Sequence, residues 1–258
     1  MFWKSKKNDG KQDSKIILGM IMLNDKNTFK FDDFVLDYNN NYNAKIEEPT
    51  RDNLSAAFTI NGETVAIGHI PAPIPSGDIE ATAQYSYNWQ TVLKDTKEHK
   101  SHLIVSVMGG SQDPVKRFKI FTRVICSLLR TTNAAGVYKG NQSLLIPKDD
   151  YLSEAKFMSD EYLPVNLWIY FGLRVSDNGN SGYTYGLKEF NKTEMEILNS
   201  SNSLENIREF LLSISRYVLE NNVEFKDGQT CGFSESEKIR ITYSKGNLIE
   251  GKTFKLAY

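Results

Sequence analysis

Residues Ala56 to Ile67 read AAFTI-NG-ETVAI, and few local patterns leave a chain less choice. An Asn-Gly pair takes the positive φ values that a two-residue hairpin turn requires, since asparagine tolerates the left-handed region and glycine has no Cβ to clash. Pairing across that turn sets Phe58 opposite Val65 and Ala56 opposite Ile67, so one face of the hairpin is apolar and needs a cover.

The segments around it supply more strand and helix. Lys15 to Leu23, KIILGMIML, has the length and β-branching of a buried strand, and His102 to Met108 reads as another, ended by Gly109-Gly110. Between them Tyr85, Trp89, Val92 and Leu93 recur at helical spacing, which predicts a short helix over 85–96 lying on the sheet. Asp113-Pro114 then reads as an N-cap with proline at the first helical position. The helix it opens carries Val115, Phe118, Phe121, Val124, Ile125, Leu128 and Leu129 on one side, with Lys116, Arg117, Lys119, Arg123 and Arg130 largely on the other. Val137-Tyr138 and Ser143 to Ile146 supply short return strands around Gly140-Asn141.

The order then recurs. Leu167 to Val175 is an aromatic strand, SDNGNSG from Ser176 is turn chemistry, and Tyr183 to Leu187 can pair back. Ser203 caps a helix striped by Leu204, Ile207, Leu211, Ile214 and Val218, widened by Phe210 and Tyr217. Ile239, Ile241 and Tyr243 alternate with polar residues, as do Phe254, Leu256 and Tyr258. The fold class expected is α+β, with two similar halves, each of mainly antiparallel strands and one long amphipathic helix packed on the sheet. The expected division is a flexible polar tail at 1–14, one half at 15–150 and the other at 151–258, joined in one compact unit. As a duplication, it requires the helices at 114–130 and 204–220 to occupy equivalent positions on their sheets.

Chemistry is harder to find. A formal charge of -1, from 31 basic and 32 acidic residues, supplies no positive field for nucleic acid. The longest early apolar run, Ile16 to Leu23, is too short to span a bilayer, so a soluble cytoplasmic protein without stable membrane insertion is expected. The two cysteines, Cys126 and Cys231, lie far apart and read as core thiols in a reducing compartment. VMGGSQDP sits where phosphate loops sit but lacks the lysine and Ser/Thr, and its aspartate repels an anion, so it reads as a turn with a carboxylate cap. His69, His99 and His102 have no i, i+4 pairing, and His69 and His102 read as satisfied sheet-edge or core residues; no catalytic residue, metal site or cofactor is expected. Glu194 and Glu196 alternate in TEMEIL and read as two acids on a solvated strand face.

IPAPIPSGDIE, residues 70–80, differs in kind. Pro71, Pro73 and Pro75 force an extended path directly after a strand, with Ile74 between them, and this serves either as the rigid rim of a binding groove or as a crossover that must not pair. HIPAPIP with Asp78 or Glu80, Trp89, HKSHLIVSVMGG, DPVKRFKIFTRV, GVYKGN, LPVNLWIYFGLRV, GYTYGLKEFNKTEMEIL, SRYVLENNVEFKDGQTCGFS and GKTFKL resemble the bacterial domain-of-unknown-function family numbered 4261, over nearly all of Lys15 to Tyr258. Lys139 stands where an aromatic is usual after GVY, and Ser76-Gly77 replaces a tryptophan-containing continuation. The resemblance implies a soluble bacterial protein, sometimes found near toxin and secretion gene clusters, and, because the family is uncharacterised, supplies no catalytic residues. The leading expectation is a non-enzymatic protein-binding protein, an immunity or accessory factor for a toxin or secretion system. Its binding residues would be Pro71, Pro73, Ile74, Pro75, Asp78, Glu80, Tyr138 and Lys139, and homo-oligomerisation is left open. The alternative is a hydrolase-like enzyme with a cleft between the halves built from Asp78, Glu80, His102 and Tyr138.

Overall fold

The computed structural model describes residues 16–26, 29–42, 44–109, 113–232 and 238–258. The 1–14 tail, the end of the VMGGSQDP glycine turn at 110–112 and the FSESE stretch at 233–237 lie outside the described residues. The first half comprises β1 (Ile17–Leu23), α1 (Phe31–Tyr42), β2 (Glu47–Arg51), β3 (Ser55–Ile60), β4 (Glu63–Ile70), α2 (Ser76–Ala83), α3 (Val92–Thr96), β5 (Ser101–Met108), α4 (Pro114–Thr131), β6 (Ala134–Lys139), β7 (Leu144–Pro147) and α5 (Lys148–Ala155). Its strands form a seven-stranded sheet in the order β2-β3-β4-β5-β1-β6-β7, antiparallel throughout. The second half comprises β8 (Tyr170–Ser176), β9 (Gly179–Tyr185), β10 (Met195–Ser200), α6 (Leu204–Glu220), β11 (Thr230–Cys231), β12 (Ile239–Lys245) and β13 (Lys252–Leu256). These make a six-stranded sheet ordered β11-β12-β13-β10-β9-β8, in which β10 and β13 run parallel. The architecture is α+β, rich in antiparallel pairs.

The β3–β4 hairpin has the register its sequence dictates, Phe58 facing Val65 and Ala56 facing Ile67, across a turn with φ of 50° at Asn61 and 80° at Gly62. Both long helices start where their caps stand: Asp113 accepts from the amides of Val115 and Lys116, and Ser203 from that of Asn206. The first sheet is covered on one face by the main core and on the other only around β1, β6 and β7. Ile17, Ile21, Leu103, Val105 and Val107 point toward α1 and α4, into a core that runs without a break into the second half. Met22 points the other way, into a small second core with Ile74, Ile79, Trp89, Val92 and Leu145.

Several expectations are corrected. The helix predicted over 85–96 is a run of turns followed by the five-residue α3. Tyr85 and Leu93 are exposed, because Trp89 is held by its own indole N–H, which donates to Asp95 at 2.8 Å, rather than by a helical stripe. Helices α1, α2 and α5 escaped the pattern because each buries too little: α1 hides only Phe34 and Tyr38 and α5 only Tyr151. Arg117 does not join the polar side of α4; it is buried, pairs with the buried Glu63 at 3.3 Å and donates to the Val107 carbonyl at 3.0 Å. Cys126 is buried as expected, but Cys231 is only half-buried. The 150/151 division falls inside α5. The halves are alike in content but not in plan, since α4 packs on β5 and β1 whereas α6 packs on β8 and β9, the far end of its sheet. The equivalence a duplication requires is therefore not met.

Candidate functional site

The proline segment is the place to begin, because the sequence singles it out. Ile74 is buried in the second core while Pro71, Pro73, Pro75, Asp78 and Glu80 are exposed, the two acids on α2. Two histidines pin its backbone. His99 donates from Nδ1 to the Thr96 carbonyl at 2.5 Å and accepts the Ile74 amide at Nε2 at 2.8 Å, an arrangement open only to the neutral ring. His102 donates from Nδ1 to the Ala72 carbonyl at 2.8 Å, and burial lowers its pKa. His69, on the opposite face of the sheet, also has its pKa lowered by burial, and its Nε2 meets no hydrogen-bond partner among the described residues. Segment 71–96 is thus a fixed layer over the back of the first sheet.

Tyr138 packs against that layer, but Lys139 follows it on β6 and so faces the other way. Lys139 is only 1% exposed. Its amine donates to the Leu167 carbonyl at 3.2 Å and sits 5.0 Å and 5.5 Å from the ring centres of Phe118 and Phe121, and burial lowers its pKa to about 7. It ties the halves together inside the core and is not part of a surface rim. His102 and Tyr138 share the back face but stand on β5 and β6 with β1 between them, opposite Met22 and Met20 respectively. Asp78 and Glu80 are exposed on α2, whereas His102 is buried and Tyr138 half-buried.

Glu194 and Glu196 are also placed against expectation, being buried to 1% and 0% exposure. Both close loops. Glu194 accepts from the Thr184 hydroxyl and the amides of Gly186 and Lys188 at 2.7, 2.8 and 3.2 Å. Glu196 accepts from three successive amides, Asn247, Leu248 and Ile249, at 3.1, 2.8 and 3.2 Å, and from Thr253, and pairs with Lys255 at 2.5 Å. Burial pushes both carboxyls up; it prevails at Glu194, whereas Lys255 and the loop amides hold Glu196 below its ordinary value.

A cleft does open between the halves. It lies where the edge strand of one sheet, β7, approaches the edge strand of the other, β8, and it has a volume of 270 Å³. The halves are fixed beneath it by the packed rings of Phe118, Trp168 and Phe190 and by the Trp168 indole donating to Thr122 at 2.9 Å. Tyr85 and Tyr87 stand with ring centres 5.9 and 6.3 Å from that of Tyr170. Arg208, from α6, donates to the Asn166 side chain at 3.0 Å, the Glu209 carboxylate at 2.7 Å and the Tyr87 hydroxyl at 3.3 Å, while Asn166 donates to Glu154 at 3.1 Å. Burial pushes the Tyr170 hydroxyl well up, so it remains a hydrogen-bond donor. Behind it Tyr183 lies flat across Gly172, where any Cβ would come within 2.1 Å of its ring, extending the tyrosines into a shelf over β8 and β9.

This arrangement is a pre-ordered aromatic and arginine surface. Among the described residues, no three His, Cys, Asp or Glu are grouped to hold a metal ion, and no helix is long and apolar enough to cross a membrane. Sequence reasoning missed Arg208 and Asn166, which carry no local signature; the exposed pair in Tyr85-Ser86-Tyr87 could have been read from its two-residue spacing, which no single helix face accommodates.

The family described as Domain of unknown function (DUF4261) matches residues 183–257. That stretch runs from β9 to β13 and carries both buried glutamates, so the resemblance read over nearly the whole chain is supported there and not beyond. No curated protein and no solved structure matches the chain.

Proposed function

We propose that this is a non-enzymatic protein-binding protein that grips its partner at the junction of its halves. The observation that carries the reading is the tyrosine cluster of Tyr85, Tyr87 and Tyr170 beside Arg208, the residue types that dominate binding hot spots, already held by their own hydrogen bonds and ring contacts so that little ordering entropy is lost on docking. The exposed Pro71, Pro73, Pro75, Asp78 and Glu80 lie on the same layer that delivers Tyr85 and Tyr87, and the proposal keeps them as the rim of this surface. Ile74 and Lys139 support the fold from within.

A photoreactive benzoylphenylalanine at position 87, with one at Tyr243 as a control, tests this directly. The expected result is a partner cross-linked from position 87 alone, whose affinity for the Tyr85→Ala/Tyr87→Ala variant falls by about tenfold or more, the equivalent of ~1.4 kcal/mol. Equal cross-linking from both positions, or an unchanged affinity in a folded variant, refutes it. The setting we propose is that of a cytoplasmic bacterial immunity or accessory factor beside a toxin or secretion system, as membership of the family along the whole chain would suggest. An adjacent toxin gene, and neutralisation of its product by this protein, would support it; a toxin unaffected by the protein would count against it.

A further inference from the structure

Sheet edges are where chains add strands, and proteins commonly guard them with charge, proline or brevity. The described residues contain four such edges. Strand β2 is EEPTR, charged, proline-bearing and irregular in register. Strand β7 has four residues and ends in Pro147, and β11 has two. Strand β8 is different: seven residues, YFGLRVS, with no proline and no acid, buried over Tyr170–Gly172 and increasingly exposed from Leu173 to Ser176.

Its two faces are distinct. Phe171, Leu173 and Val175 point toward the side covered by α6, and Val175 is 72% exposed, an apolar side chain at the end of an open edge. Tyr170, Gly172 and Arg174 point to the tyrosine shelf, where Arg174 reaches the hydroxyl of Tyr183. Arg208, at the cleft end, is already paired with Glu209, so Arg174 carries the positive charge of this face. A second copy of the chain pairing here would bring two Arg174 side chains onto one face, which like-charge repulsion disfavours. The chain's own 1–14 stretch, MFWKSKKNDGKQDS, has more lysines than acids and fits no better.

We infer that β8 is a docking edge that takes an extended strand of a partner protein, bearing apolar side chains toward Leu173 and Val175 and acidic ones toward Arg174. This rests on the protein-binding reading and names the form of its partner. Main-chain hydrogen bonds along the edge supply affinity, and the alternating faces supply specificity.

The test selects phage-displayed random peptides on the full chain and measures the best binder against wild type, Val175→Lys, Arg174→Glu and Tyr85→Ala/Tyr87→Ala, with thermal unfolding confirming that each is folded. The expected result is a peptide alternating apolar and acidic residues that protects β8 amides from hydrogen exchange and loses tenfold or more in affinity with both Val175→Lys and Arg174→Glu. Val175 and Arg174 are exposed, so both variants should fold. A peptide that ignores both β8 variants but is lost with the tyrosine variant overturns the strand-addition idea and leaves the cleft reading standing. A peptide insensitive to all three, or the recovery of none, overturns both. Concentration-dependent dimerisation of wild type, abolished by Val175→Lys, would show that the edge takes a second copy instead.

Discussion

Replacing Glu196 with alanine should cost this protein about 3–5 kcal/mol, the usual result of removing one partner from a buried ion pair. The carboxylate is wholly buried and receives the amides of Asn247, Leu248 and Ile249, the Thr253 hydroxyl and the Lys255 ammonium. Without it, three amide donors and a cation need new partners. An unsatisfied buried donor costs about 1–3 kcal/mol, and water reaching the half-exposed 247–249 loop recovers part of that, which keeps the total near the ion-pair figure. Glu196→Gln should fall between, at roughly 2 kcal/mol, because one amide oxygen still accepts from the loop while the new NH2 group faces donors. The pH dependence follows from the lowered pKa of Glu196. Its contribution is fully present above the unfolded value near 4.3, is lost as pH falls through the lower folded value, and should vanish in Glu196→Gln, flattening the acid limb. Urea unfolding from neutral pH down to about pH 3, with hydrogen exchange at 247–249, measures both. A Glu196→Ala loss below about 1 kcal/mol, or no change in exchange in that loop, would refute the reasoning.

Glu194 should behave differently: its pKa is raised by burial, so its charge costs stability above the folded value, and Glu194→Gln, which can keep its hydroxyl and amide contacts, should cost under about 1 kcal/mol at pH 7 by the same urea measurement. Lys139→Met should stabilise the fold by about 1–4 kcal/mol at pH 7, since it removes a buried cation while keeping volume. The lowering of the Lys139 pKa to about 7 means that wild type should gain stability as pH rises from about 7 to 10, a gain the variant lacks. Ile74→Ala should cost about 2–5 kcal/mol as a core truncation and expose 71–96 to proteolysis; a loss confined to partner binding would restore Ile74 as a surface anchor. With the pKa of His102 lowered by burial, charging the ring costs folding free energy, so stability should fall as pH drops below the unfolded value near 6.5; urea unfolding measures it, and an equal fall in a folded His102→Gln variant would count against His102 as its source.

What the sequence determined was local. Asn61-Gly62 fixed a hairpin and its register because the turn geometry is open to few residues; Asp113-Pro114 and Ser203 fixed two helix starts because free amides need an acceptor; the stripes of α4 and α6 fixed which faces they bury. These features are decided within a few residues of one another. The sites were not legible in that way. Glu194 and Glu196 have the pattern of a solvated strand face, and only the 186–188 and 247–249 loops folding over β10 turn them into buried acceptors. Arg117 and Lys139 belong by composition to the surface, and Glu63 and the Leu167 carbonyl, distant in sequence, draw them inside. The histidine latch joins residues up to 30 positions apart, and the cleft gathers Tyr87, Asn166 and Arg208 from three separate segments. Burying a polar group is permitted only when its partners arrive together, and which partners arrive is decided by the packing of the sheets, which no local pattern contains.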